Sequence, residues 1–162
     1  MGDRLSDVIL VIGLGSPIMS DDAIGLRVAE AVERMGLPDV KVEQEAIGGL
    51  DIIPLIRGYR NVIIVDAIKT GAYEPGTIII FCPEDFEPTV ANASAHEFNL
   101  ATAMHIGRQL EPDMMPETVK FIAIEVSDIM TVSESMTGAV ESALPEAVDV
   151  VVDVIKGFQR SI

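Results

Sequence analysis

The sequence predicts a three-layer α/β/α sandwich around a mostly parallel, twisted sheet of about five strands, with room for one antiparallel strand. Three observations lead there. The runs "VILVIG", "NVIIVDAI" and "TVKFIAIEV" are nearly all apolar, as strands covered on both faces must be. Between them lie segments whose apolar residues recur at three- and four-residue steps, the spacing of crossover helices. The composition, 49% hydrophobic but only 4% aromatic and without tryptophan, describes a core of Ile, Val, Leu, Ala and Met.

Taken in order, Val8–Gly13 is the first buried strand. Ile24, Val28, Ala31, Val32 and Met35 mark the helix that follows, and Gly36 with Pro38 stops it. Val40–Ala46 alternates and therefore lies nearer an edge. Leu50–Arg57 is a short helix ended by Gly58. Asn61–Ile68 is the second wholly apolar strand, broken by one charge, Asp66. Gly76–Cys82 follows after a loop too short for a helical crossover, which leaves its direction open between an antiparallel pairing and a separate edge. A helix opens near His96 with the stripe Leu100, Ala103, Met104 and Gly107. Thr118–Val126 is the last strand. The closing helix carries Leu144, Val148, Val151, Val152 and Ile155 on one face, with Pro145 expected in its first turn.

A length of 162 residues suits one domain, 1–162, with a single buried core. Acidic residues outnumber basic ones 26 to 11, a formal charge of −15, so the surface repels polyphosphates and lacks the footprint that nucleic acid needs. The start, "MGDRLSD", is polar, and no apolar run approaches the ~18 residues of a membrane span, so a cytoplasmic protein without a membrane anchor is expected. "MGDRLS" formally matches a myristoylation pattern, but a solvated tail is the simpler reading. Cys82 is the only cysteine, which excludes an intramolecular disulfide and a multi-cysteine metal site.

The stretch "VIGLGSPIMSDDAIG", Val11 to Gly25, poses the functional question. A strand runs into a glycine turn, as in a dinucleotide-binding fold. Gly13 and Gly15 fill two places of that fingerprint, but Ile18 stands at the third and Pro17 stiffens the turn. Ser20, Asp21 and Asp22 then bring oxygens and negative charge to the helix start where a phosphate would sit. For Asp21 an ordinary N-cap or helix-dipole role is the favoured account.

In a doubly wound sheet the first strand neighbours the second and third, and ligands bind at the carboxyl ends where the winding reverses. The loop bearing Asp21 and Asp22 should then face Asp66. A helix feeding the last parallel strand must start at the same edge, and His96 opens that helix. His105, nine residues on, lies about half a revolution away and should not share the site. Two carboxylates and an imidazole form a mixed oxygen and nitrogen set with open coordination positions, a pattern that suits a transition metal. Glu125 ends the last strand at this edge; a surface carboxylate is the simpler account, a supporting group or general base the functional one. Ser16 lacks a nucleophile elbow, and Cys82 could pair with His96 only if its strand ran parallel, so an inert, buried Cys82 is expected.

These residues resemble a family, the nickel-iron hydrogenase maturation endopeptidases. "GLGSPIMSDDAIG" is similar to its glycine turn and acidic pair, "GGLDIIPLI" to its second loop, "VIIVDAI" to its aspartate strand, "SAHEFNL" to its histidine segment and "FIAIEV" to its last strand. The resemblance implies a hydrolase that removes a C-terminal extension from a hydrogenase large-subunit precursor after nickel insertion. It implies Asp22, Asp66 and His96 as the catalytic, nickel-engaging set, with the nickel presented by the substrate and with zinc or cadmium able to occupy the site in vitro. Gly48 and Gly49 would form a loop that accepts the substrate tail. Two positions depart from the family pattern: Ser16 stands where asparagine is common, and Asp22 where the longer glutamate is common. The latter implies a slightly shifted metal or a different large subunit. A non-proteolytic nickel-binding assembly factor and a flavodoxin-like nucleotide or flavin module are the alternatives, separated by a cleavage assay and by cofactor absorbance.

Overall fold

The computed structural model describes residues 5–47, 49–83 and 95–161, and the side chains among them except those of residues 49 and 95–99. Five strands, β1 (Ile9–Leu14), β2 (Val40–Glu45), β3 (Asn61–Ile68), β4 (Ile78–Phe81) and β5 (Thr118–Glu125), form one sheet in the order β2-β1-β3-β5-β4. Strand β1 pairs in parallel with both β2 and β3, β3 in parallel with β5, and β4 alone runs antiparallel, against β5. The direction that the sequence left open for β4 is thereby settled. The alternating β2 lies at one edge, where its polar side chains meet water.

Side chains alternate across the sheet and feed two cores. Ile9, Val11, Ile63, Val65, Ile122 and Ile124 pack with helices α1 (Ile24–Arg34) and α4 (Gly138–Arg160) on one face. Leu10, Ile12, Val62, Ile64, Val119 and Phe121 pack on the other with α2 (Ile53–Ile56) and α3 (Ala95–Leu110). The helix expected over Leu50–Arg57 is a 3-10 turn, Gly49–Ile52, running into α2.

The closing helix begins earlier than its apolar stripe suggested. It starts at Gly138, so Pro145 lies inside it and not in the first turn. Its missing N–H removes one bond of the ladder, and burial of Val140, Ala143, Ala147 and Val151 against the sheet holds the helix across that gap.

Two glycines let α1 cross directly over the carboxyl ends of β1 and β3. A Cβ on Gly25 would stand 2.4 Å from the Leu14 carbonyl oxygen and 2.5 Å from that of Val65. One on Gly15, which has φ +147°, would stand 2.0 Å from the carbonyl oxygen of Asp22. Close backbone approach, and not a phosphate, explains the glycines of this turn.

Candidate active site

The first turn of α1 lies against Val65, so Asp22, one turn before Gly25, and Asp66, one residue after Val65, come to the same end of the sheet. Asp22 is half-buried, and its Oδ2 accepts a hydrogen bond from the Ser16 amide at 3.0 Å. The carboxylate thus closes its own loop across the glycine turn. Asp66 is 3% exposed and its Oδ1 accepts the amide of Ala67 at 2.8 Å. Alternation along β3 puts Asp66 on the face of Ile64 and Ile68, beneath α3. A carboxylate so deep in an apolar layer is costly unless it has partners of opposite charge or hydrogen-bond donors.

Helix α3 reaches this edge from the other side. Its last turns lie near the amino end of the sheet, where a Cβ on Gly107 would meet Met115 and where Glu111 pairs with Arg57 at 2.9 Å, just before β5 begins. A helix of 16 residues rises about 24 Å, so α3 starts at the carboxyl end. His96 is in that first turn, one turn before the buried Leu100. Its side chain lies outside the described residues, as does Gly48, while Gly49 begins the 3-10 turn against which α3 packs. His105 is exposed and meets Gln109, away from the site as its spacing required. Among the described residues no three His, Cys, Asp or Glu side chains are grouped to hold a metal ion.

Asp21 has a different task from the N-cap expected of it. It is 0% exposed and lies in a 3-10 turn, Ser20–Ala23, that leads into α1 and has no side-chain cap. Its Oδ2 accepts the amides of Ser127 and Asp128 at 3.0 and 2.9 Å, its Oδ1 accepts the amide of Thr137 at 2.7 Å, and the Thr137 hydroxyl donates to both oxygens. Thr137 is the residue before α4, so Asp21 supplies the negative charge at the start of the last helix. These partners are more than a hundred residues away in sequence, and no local pattern announces them. The backbone adds to the tie: Asp21 N donates to Asp128 O, Ser20 N to Ser133 O and Ser133 N to Ile18 O.

Glu125 is likewise not a surface carboxylate. It is 1% exposed, accepts the Thr70 amide at 3.2 and 2.9 Å and takes a short hydrogen bond from the Thr70 hydroxyl. The chain after β3 folds back across the end of β5, with Gly76 N donating to Glu125 O and Glu125 N to Thr77 O, and this buries it. Sequence reasoning had no signal for Thr70 or Thr137, whose value is set by distant loops. Cys82 is half-buried with its Sγ 3.3 Å from Lys120 Nζ, and follows the antiparallel β4. It therefore lies toward the amino half of β5, at the other end of the sheet from the start of α3, and a Cys82–His96 pair is excluded.

The sequence and the fold have counterparts among known proteins. A family model described as hydrogenase maturation protease matches residues 26–154. The chain is 34% identical over 99 residues to a hydrogenase 2 maturation protease of Escherichia coli, an alignment covering 59% of this chain and 60% of that protein. Against a hydrogenase expression/formation protein of Rhizobium leguminosarum it is 26% identical over 159 residues, 93% of this chain and 75% of the relative. Among solved structures, the hydrogenase maturating endopeptidase HybD from Escherichia coli superposes with a TM-score of 0.76 at 24% identity, covering 92% of each chain, which speaks to the fold. The match by sequence runs from α1 into α4 and takes in the Asp66 strand, the opening of α3 and Glu125, so the chain belongs to the hydrogenase maturation protease family.

Proposed function

We propose that this protein is a cytoplasmic endopeptidase that removes the C-terminal extension of a nickel-iron hydrogenase large-subunit precursor once nickel has been inserted. One observation carries the proposal: two acids from separate elements, Asp22 in the 3-10 turn before α1 and Asp66 in β3, lie at the end of the sheet at which the helix bearing His96 begins.

In this reading the nickel arrives with the substrate, and Asp22, Asp66 and His96 engage it. A divalent ion so placed polarises a scissile carbonyl and lowers the pKa of a bound water. The protein's own groups set the geometry. Ser16 N fixes the Asp22 carboxylate, Ala67 N fixes that of Asp66, and Gly48 and Gly49 belong to the loop that receives the tail of the precursor. Donors on three elements leave coordination positions for the substrate to fill, so metal, tail and protease assemble together and the reacting atoms meet only in that complex.

The test incubates the protein with unprocessed large subunit, with and without nickel, and follows loss of the extension by mass spectrometry. Cleavage is expected only with the nickel-loaded precursor, and is expected to fail with Asp22→Asn, Asp66→Asn and His96→Ala. Equal cleavage of nickel-free precursor would refute the dependence on metal. Nickel binding without cleavage would leave an assembly factor.

A further inference from the structure

Large apolar side chains stand in solvent directly beside the candidate site. Val132 is 74% exposed, Met130 77% and Ile18 51%. They are not scattered. Met19 and Ser133 form an isolated parallel bridge, and Ser133 N donates to Ile18 O at 2.9 Å, so Ile18 and Val132 lie on two chain segments held against each other. Met130 extends the patch two residues along the same loop.

The loops presenting this patch are tied to each other by hydrogen bonds. The buried Asp21 carboxylate takes three amides from residues 127–137, and Ser133 exchanges backbone bonds with Ile18 and Ser20. Asp128 takes the amides of Met130 and Thr131 and the Thr131 hydroxyl, fixing the turn from which Met130 projects. The apolar groups are thus displayed on a rigid support, which reduces the ordering cost of covering them.

Charge selects what covers them. Neither the stretch 13–26 nor the stretch 126–137 contains a lysine or arginine, whereas they carry Asp21, Asp22, Asp128 and Glu134. Two cations neighbour them among the described residues, Lys69 across from Asp128 and Arg27, whose guanidinium reaches the Glu134 carbonyl at 3.4 Å, so the four acids still prevail. A second copy of a chain of charge −15 would bring like charge to like charge. Asp22 N donates to Met19 O at 3.2 Å, so the candidate catalytic acid and Ile18 belong to one short turn and the patch adjoins the site.

The geometry points to a docking surface, formed by Ile18, Met130 and Val132, for an apolar face of the hydrogenase precursor rimmed by lysine or arginine. It rests on the endopeptidase reading and adds where the body of the substrate is held. The test compares wild type with Ile18→Ser/Val132→Ser and with Met130→Ser, at exposed positions where folding is expected to survive, as checked by circular dichroism. Binding of nickel-loaded precursor is followed by interferometry, and cleavage by mass spectrometry. The double variant is expected to weaken binding and raise KM at least tenfold with kcat at saturation unchanged, and wild-type association is expected to slow as salt is raised. Binding and KM unchanged in folded variants, while wild type still cleaves, would overturn the docking surface and leave the endopeptidase reading intact. A wild-type dimer that the substitutions dissociate, with precursor binding unaltered, would assign the patch to self-association and overturn it equally. A wild-type protein that neither binds nor cleaves the precursor would defeat both.

Discussion

Replacing Asp21 with asparagine should destabilise the protein far more than an isosteric change at a helix start ordinarily does. The carboxylate has 0% exposure and accepts three backbone amides as well as the Thr137 hydroxyl. Asparagine offers one oxygen. Turned toward Ser127 and Asp128, it sets its NH2 against the Thr137 amide; turned the other way, it orphans two amides. The first is cheaper. It leaves one buried donor without an acceptor, about 1–3 kcal/mol, and removes the charge that strengthens the remaining bonds and complements the start of α4, about 1 kcal/mol more. The sum is a loss of about 2–4 kcal/mol, which for a domain of this size lowers Tm by about 5–15 °C. Urea denaturation of wild type and variant measures it, and amide exchange localises it: Ser127, Asp128 and Thr137 should lose protection first. A loss below about 0.5 kcal/mol, the range of an ordinary surface substitution, would refute the role assigned to Asp21.

Gly25→Ala should cost about 3 kcal/mol or more, since its Cβ would meet two strand carbonyls at 2.4 and 2.5 Å that cannot yield, and a urea midpoint within error of wild type would count against that contact. Glu125→Gln keeps an acceptor for the Thr70 amide and should cost only about 1 kcal/mol, whereas Glu125→Ala should release the 69–77 segment to limited proteolysis. The Thr131 hydroxyl, then the Met130 and Thr131 amides, hold the Asp128 carboxyl below its ordinary value. Its contribution to the turn is therefore present above the ordinary aspartate range and lost as pH falls through the lowered midpoint, and Thr131→Val should move that midpoint up in an NMR titration. If His96 engages nickel as a neutral imidazole, affinity should weaken as pH falls through the histidine range, and calorimetry of His96→Ala should show weak binding without that dependence.

The sheet was legible because burial on both faces leaves a strand no choice but an unbroken apolar run. Asn61–Ile68 is read to the residue, and β1 and β5 to within one residue at either end. That Asp22 and Asp66 lie toward the same end of the sheet was legible through topology: parallel pairing of β1 with β3 puts the carboxyl ends of both strands side by side. What escaped was set at long range. Nothing near Glu125 in sequence says that Thr70 will fold over it, and a polar residue at a strand end reads as exposed when the returning chain is not yet placed. Pro145 misled because the start of α4 is fixed by Thr137 and its distant partner Asp21, not by the apolar stripe that begins later.

Asp21 and Asp22 are adjacent and chemically alike, yet the fold divides them. A step of about 120° around the 3-10 turn Ser20–Ala23 sends one inward and leaves the other at the rim. The inward acid binds the loop after β5 to the loop after β1, and that second loop is the one whose closure by Ser16 sets the position of Asp22. The buried acid thus acts on the candidate catalytic acid through the backbone they share. The consequence is a separation that the two substitutions can expose. Asp22→Asn should abolish cleavage while costing little stability, since the amide oxygen still accepts the Ser16 N–H. Asp21→Asn should cost stability first and activity only as far as the loop loosens, so that cleavage by the variant recovers on cooling while that of Asp22→Asn does not. Loss of cleavage in both at every temperature would mean that Asp21 takes part in the chemistry, and the division drawn from its hydrogen bonds would be wrong.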